Sequence, residues 1–276
     1  FIKEIIKKNY EPKDIVCDYT SGTKAMSAGV VLASIEEKVG TLSYISGDRD
    51  KEGRVVSGTE KVISLEPNRI FAENLFKTAI DLFNNYQYDS SIKILEQAKI
   101  LLKDEKFQKK VKTLHNISTA YSYWDKFDLE KAFEELKNLK ENEFLSEWGI
   151  KKRVEQNKQF LSKEYQNKFC PERMIDLFEN AKRRYRENKF DDAVARLYRL
   201  LEYIAQYFIA DLRLYKEKNN EVDTTELNPD KLPDELRDKF RMLGLMQSYE
   251  LLHSLKHEIG SEIYQQLKNK DSEIRK

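Results

Sequence analysis

Residues 15–24 read Ile15-Val16-Cys17-Asp18-Tyr19-Thr20-Ser21-Gly22-Thr23-Lys24, an apolar run that stops on an acid and breaks into hydroxyls, a glycine and a lysine. A short apolar run without alternation has the pattern of a buried parallel strand. The Thr20–Lys24 segment turns the chain. Ala25 to Glu37 then reads as a helix, with Met26, Val30, Ala33 and Glu37 marking one face. Thr41 to Ser46 is a second strand, and Gly47-Asp48-Arg49 turns out of it. Strand, loop, helix and strand at this spacing form a βαβ unit. Arg54-Val55-Val56 and Val62-Ile63-Ser64-Leu65 add short strands around Ser57-Gly58.

From Pro67 onward the pattern is helical almost without interruption. Leu75, Ala79, Leu82, Phe83 and Tyr86 mark one helix face, and Ile94, Leu95, Ala98, Leu101 and Leu102 the next. Between them lies the corner Tyr88-Asp89-Ser90-Ser91, and similar corners recur at Phe127-Asp128 and Phe190-Asp191-Asp192-Ala193. In each, an aromatic closes one helix, an Asp caps the next, and the first buried position takes a small residue. These are helical hairpins of the tetratricopeptide kind, but 39 and then 63 residues apart, which excludes a regular solenoid. Pro233 to Lys270 is a last helical pair, followed by a polar tail, Asp271 to Lys276. The fold class is mainly α with an N-terminal α/β portion.

Composition agrees. Of 276 residues 35% are charged, against about a quarter in an average globular chain, while Gly and Pro number only 9 and 5. With 15 Tyr and 14 Phe the chain is too aromatic for disorder, and it is too poor in Gly and Pro for a turn-rich β fold. A net charge of +1 leaves nucleic-acid contact to a local patch. Cys17 and Cys170, far apart and in apolar settings, suit buried thiols in a reducing compartment. No run of about 18 apolar residues and no signal peptide occurs, so a cytoplasmic location is expected and a membrane partner is not. The chain opens on Phe1 amid the amphipathic pattern Ile2, Ile5, Ile6, as a fragment would.

The Asp18–Lys24 loop lies where a strand ends and a helix begins, the place where α/β sheets hold ligands. Helix-start N–H groups and the hydroxyls of Thr20, Ser21 and Thr23 can cradle a phosphate, with Lys24 supplying charge. The loop lacks the first glycine of a P-loop and the three glycines of a dinucleotide fingerprint. A capped strand-to-helix turn without ligand uses the same residue types.

The run DYTSGTKAMSAGVVLAS (18–34), with LSYISGDR (42–49) and GRVVSGTE (53–60), resembles the CRISPR-associated Rossmann-fold (CARF) proteins, in the branch that joins such a sensor to a helical region and a HEPN-type ribonuclease domain. The segment NAKRRYRENKFDDAVARLYRLLEYIAQ (180–206) is similar to the same branch. The resemblance implies a partial Rossmann-like sensor over 1–66, a helical hairpin linker over 67–170 and a HEPN-like region over 171–276. It further implies a cytosolic accessory protein of type III CRISPR immunity that pairs as a homodimer and binds cyclic oligoadenylate as activator. No other cofactor is implied, and RNA is the substrate where the nuclease end is present. Carried over residue by residue, Thr20, Ser21, Gly22, Thr23 and Lys24 match the family's phosphate-cradling loop, with Asp18 at the strand end. Gly47 and Arg49 match the loop after the next strand. The family sensor has further βα units ahead of this point, where only a helix precedes Asp14 here, so the sensor is expected to be truncated.

HEPN nucleases place four to six residues between an Arg and a following His for metal-independent RNA cleavage. At that spacing His115 follows Gln108, Lys109 and Lys110, His253 follows Met246, Gln247 and Ser248, and His257 follows Glu250, Leu251 and Leu252. No catalytic residue is therefore assigned, and the active site is expected beyond Lys276. His253 and His257, one helical turn apart beside Glu250 and Glu258, invite a metal reading, but the intervening acid of H-E-x-x-H is missing. A solvated face is expected, with no metal site. His115, between Leu114 and Ile117, is expected to pack. The basic run Lys182–Arg186 is flanked by Glu179, Glu187, Asp191 and Asp192, so ion pairing competes with RNA contact there. Arg196 and Arg199, paired to Asp192 and Glu202, are expected to buttress a helix whose core face holds Ala193, Leu197, Leu200, Leu201, Ile204 and Phe208. Trp124 and Trp148 are expected to anchor hairpin ends. Two other functions stay open: a non-catalytic tetratricopeptide-like interaction scaffold, and a ring nuclease that degrades cyclic oligoadenylate.

Overall fold

The computed structural model describes residues 2–139, 142–216, 221–237 and 240–269. The first segment contains α1 (Ile2–Ile6), β1 (Val16–Asp18), α2 (Lys24–Glu36), β2 (Thr41–Ser46) and β3 (Lys61–Leu65). Helices α3 (Pro67–Asn84), α4 (Tyr88–Leu101), α5 (Glu105–Asp125), α6 (Leu129–Lys137), α7 (Glu143–Glu147), α8 (Lys151–Gln166), α9 (Pro171–Arg186) and α10 (Phe190–Asp211) follow. Short strands β4 (Tyr215–Lys216), β5 (Glu221–Asp223) and β6 (Phe240–Arg241) precede α11 (Leu245–Ser254) and α12 (Glu258–Lys268). The chain forms two compact units, Phe1–Ser122 with Asn138–Glu147, and Tyr123–Lys137 with Trp148–Lys276. The fold is mainly α, with a small α/β portion at its start.

In the first unit the βαβ reading holds. β1 pairs in parallel with β2, Asp18 opposite Ser43, and β3 adds antiparallel to β2, Ser46 opposite Lys61. Arg54-Val55-Val56 forms no strand. The Asp50 carboxylate accepts the N–H groups of Glu52 and Arg54 (2.9 and 2.8 Å), which folds this stretch into a turn and leaves one bridge, Arg49 to Val55. Met26 is 64% exposed, so α2 is rotated from the expected face, and the side chain it buries is Ser34. Pro67 starts α3, where its missing N–H costs nothing. Small side chains then let helices approach closely: Ala72, Ala79 and Ala98 are fully buried, and Ser91 donates to Ala79 O at 2.7 Å.

The three corners form as read in outline. Ser91, Ala132 and Ala193 are all buried. The capping chemistry differs. Asp128 alone sits just ahead of its helix, whereas Asp89 and Asp191 lie inside the first turns of α4 and α10, behind Gln87 and Lys189.

In the second unit the core gathers Ala205, Ile209, Val222, Leu236, Tyr249, Leu252 and Tyr264. The Tyr249 hydroxyl donates to Leu201 O at 2.8 Å, and burial raises its pKa well above the ordinary phenol value. The expected Pro233–Lys270 helical pair starts only at Leu245, because 233–244 carries a 3₁₀ turn and β6. Strands of two or three residues offer no alternation to read. The expected polar tail, Asp271–Lys276, lies outside the described residues, as does Lys270.

Among the described residues six helices are followed by a left-handed residue that is not glycine: Lys38, Tyr86, Phe127, Asn188, Arg213 and Lys256, with φ between 56° and 64°. At Lys256 the next N–H, that of His257, reaches back to Leu252 O at 2.9 Å, and Lys256 N reaches His253 O at 2.9 Å. This paired closure satisfies end carbonyls, and glycine is its usual residue because a Cβ there is strained. Exposed Lys256→Gly therefore raises unfolding free energy by about 0.5–1 kcal/mol, read as a higher denaturant midpoint at unchanged slope.

Candidate functional site

The ends of β1 and β2 sit side by side because the strands are parallel, so the loops that leave them share one edge of the sheet. Asp18 is the knot of this edge. Its carboxylate accepts from the Thr20 backbone N–H (3.0 Å) and from the Ser43 hydroxyl (2.8 Å) on the opposing strand. The Ser43 hydrogen bond, and next the Thr20 amide, hold the Asp18 carboxyl below the usual aspartate range. Thr20 Oγ1 accepts the Ile45 N–H at 2.7 Å, a second lashing from the loop to β2.

Gly22 has φ +104°, a conformation that side-chain-bearing residues rarely adopt, and it turns the chain into α2. Thr23 caps that helix, its hydroxyl accepting Met26 N–H at 3.3 Å. Ser27 Oγ donates back to Tyr19 O at 3.2 Å. Ser21 and Lys24 are exposed. At the end of β2, a Cβ on Gly47 would meet Val55 Cγ1 at 2.6 Å, so a side chain here would force Val55 to move as the 47–59 loop folds back. Arg49 turns into that loop, its guanidinium donating to Gly53 O at 2.7 Å.

The structure thus brings Asp18, Thr20, Ser21, Gly22, Thr23 and Lys24 together on one loop. Gly47 and Arg49 are on the loop that leaves the adjacent strand. The hydroxyls divide by role: Thr20 and Thr23, though exposed, are engaged by backbone amides, while Ser21 and Lys24 add further exposed polar groups to the loop. Sequence reading missed Ser43, whose link to Asp18 becomes visible once the parallel register is known. It also missed the stack of Tyr19 on Tyr44, ring centroids 5.4 Å apart.

Elsewhere the candidates resolve into packing. His253 lies on Tyr264 (4.9 Å), while His257 accepts Gly260 N–H through Nδ1 (3.1 Å) and caps α12. The two are separated by the helix end at Lys256 and do not share a helix face. Among the described residues no group of three or more His, Cys, Asp or Glu could hold a metal ion. His115 Nε2 lies 4.0 Å from Glu96. In the basic run, Lys182 pairs with Glu179 (2.7 Å) as expected, but Arg183 and Arg184 reach Asp125 at the end of α5. Arg199 pairs with Glu202 (3.1 Å), and Arg196 lies over the Phe127 ring at 5.2 Å instead of reaching Asp192. On α10 the expected core face is only partly buried. Leu197 is 42% exposed and joins Phe190, Val194 and Tyr198 in an apolar stripe at i, i+4, i+7 and i+8 spacing.

Residues 71–162 match the family model of the Csm6 6H domain, and residues 162–275 match that of the Csm6 HEPN domain. Together these cover most of the chain and define a CRISPR-associated accessory protein with a HEPN domain. The chain belongs to the Csm6-like accessory proteins of type III CRISPR immunity, with a 6H segment followed by a HEPN domain. No curated protein matches it. Among the described residues no helix is long and apolar enough to cross a membrane.

Replacing Thr20 by Val removes the acceptor for Ile45 N–H while keeping the branched shape. The expected cost is about 0.5–1.5 kcal/mol of stability, with faster amide exchange at Ile45. Unchanged exchange at Ile45 contradicts the lashing.

Proposed function

We propose that residues 1–66 are the sensor portion of this Csm6-like protein, and that cyclic oligoadenylate bound there controls a HEPN ribonuclease activity in the cytoplasm. The observation that carries this reading is the shared edge formed by the loops after two parallel strands. One of these loops starts a helix with exposed Ser21 and Lys24, and Asp18 and Thr20 tie it to its neighbour. A phosphate of the ligand would meet the α2 N–H groups and the Lys24 ammonium. Gly22 lets the backbone approach, Thr23 presets the helix start, and Gly47 and Arg49 shape the second wall. No metal or other cofactor is required for this step or for HEPN chemistry, which proceeds by an Arg–His pair that these 276 residues do not contain at the required spacing.

Ligand control requires a second state, and in the proposed reading that state is an arrangement of two copies. The apolar stripe of α10 supports pairing, since four large apolar side chains in register on one exposed face are costly to leave in water. Leu197→Glu is expected to lower self-association, measured by sedimentation. An unchanged dimer content removes the stripe from the pairing surface.

The direct test is calorimetric titration of the full-length protein with cyclic tetra- and hexa-adenylate, with RNA cleavage followed in the same samples. Lys24→Ala is expected to weaken binding about tenfold or more, as loss of a charge-assisted contact does. Unchanged affinity overturns the loop assignment. Product analysis of the same ligand separates a sensor, which leaves it intact, from a ring nuclease, which does not. Self-association without nucleotide affinity favours the helical interaction scaffold.

A further inference from the structure

Inside the second unit, α5, α8 and α9 meet around a carboxyl group that the sensor–nuclease reading leaves unused. Glu164, on α8, has a side chain with no exposed surface. The groups that face it come from every neighbouring element. From α5 comes Trp124, with Asp125 beyond it. From α9 come Arg173 and Asp176, with Arg183 beyond. Cys170, ahead of α9, is close enough to couple to it, and on its own helix Lys163 is directed to Glu172 at 3.4 Å.

Among the described residues neither Glu164 oxygen accepts a conventional hydrogen bond. Arg173 Nε is 2.6 Å from Oε1, yet it makes no aligned N–H bond there. The donors go to Asp176 instead. Trp124 Nε1–H donates to Asp176 Oδ2 at 2.9 Å, and the Arg183 guanidinium lies 3.7 Å from Oδ1. An ionised Glu164 would be a fully buried carboxylate beside the Asp176 carboxyl, with the Arg173 charge close by and Trp124 as a weaker aid, and burial outweighs what these two return. A neutral Glu164 lies within hydrogen-bonding reach of the Asp176 carboxylate, and two carboxyl groups in contact need a proton between them.

We propose that Glu164 is a neutral acid donating its proton in a hydrogen bond to the Asp176 carboxylate, and that this shared proton is a pH-sensitive latch between α8 and α9. Its position gives the latch its reach. Glu164 and Asp176 belong to the HEPN-matching segment, whereas Trp124 and Asp125 belong to the 6H-matching one, so the latch seals the seam of two family segments inside one compact unit. Deprotonation leaves two adjacent buried carboxylates and drives α8 and α9 apart.

Burial, then the Asp176 charge, pushes the Glu164 carboxyl to about 8 from its ordinary 4.5. The folded chain therefore holds a proton that the unfolded chain has lost across that interval. Stability is fully present below pH 4.5, declines as pH rises through the interval, and is level above about 8.

The test compares the protein with Glu164→Gln, whose amide can still donate to Asp176. Denaturation is followed by fluorescence of Trp124 and Trp148, both in this unit, at several pH values between 5 and 9. Relative to the variant, the wild type is expected to lose stability with each pH unit up to about 8, by as much as tenfold in the folding constant per unit. Its infrared spectrum at pH 7 is expected to show a buried carboxylic-acid carbonyl band that is missing in Glu164→Gln. Parallel pH profiles together with an absent band overturn the proposal. If Glu164→Gln does not fold, the wild-type band still decides: it must vanish as pH rises past about 8, and Asp176→Asn must shift its frequency. An absent or pH-insensitive band overturns the proposal.

Discussion

The buried carboxylate of Asp125, in the last turn of α5, is the interaction on which the helical body turns. It accepts Arg183 Nε at 3.1 Å, pairs with the Arg184 guanidinium, and takes an amide N–H of Asn180 at 3.1 Å. Asn180 also donates to the Asp125 carbonyl at 3.0 Å, one of the orphan acceptors of a helix end. Four polar ties thus converge from α9 on one terminus, and Arg184 extends the chain of charges to Glu187 at 2.8 Å. Taking these ions from water is expensive, and removing any one member would strand the others. Such a cluster contributes less to net stability than to fixing which face of α9 meets α5.

This dependence explains what was and was not legible in the sequence. Helices, corners and small residues at buried positions follow from local rules, so α3, α4 and the βαβ unit can be read directly. Asp125 could not be, because nothing near residues 182–186 indicates a carboxylate nearly sixty positions earlier in the chain. The local acids Glu179 and Glu187 did take Lys182 and Arg184, so the expected ion pairing was right for part of the run and blind to its long-range member. The α10 face failed in the opposite way. Leu197 has the spacing of a core residue, but periodicity does not distinguish an apolar stripe that packs within the chain from one that stays exposed.

The loop at the head of the sheet shows a third kind of limit. Residue types at Thr20–Lys24 fit a phosphate cradle and a plain helix cap equally well. The structure separates the two contributions by atom: Thr23 caps, Thr20 and Asp18 lash the loop to β2, and the lashings come from the Ile45 amide and Ser43 hydroxyl. These bonds depend on strand register, which a one-residue slip would destroy by turning every side chain of β2 to the other face.

Register also bears on how such a small sheet can serve a ligand. Val62, Ile63 and Leu65 of β3 are all exposed by 45% or more, so few apolar contacts hold this sheet compared with the helical core. Elements with few buried contacts open most readily, and ligand-binding segments are commonly drawn from that low-stability end. A polar knot such as Asp18–Ser43–Thr20 then does what packing does elsewhere: it keeps two loop origins at a fixed separation while the loops themselves remain exposed. Rigidity is concentrated in a few hydrogen bonds at the strand ends, and the exposed Ser21 and Lys24 are positioned by those bonds without taking part in them.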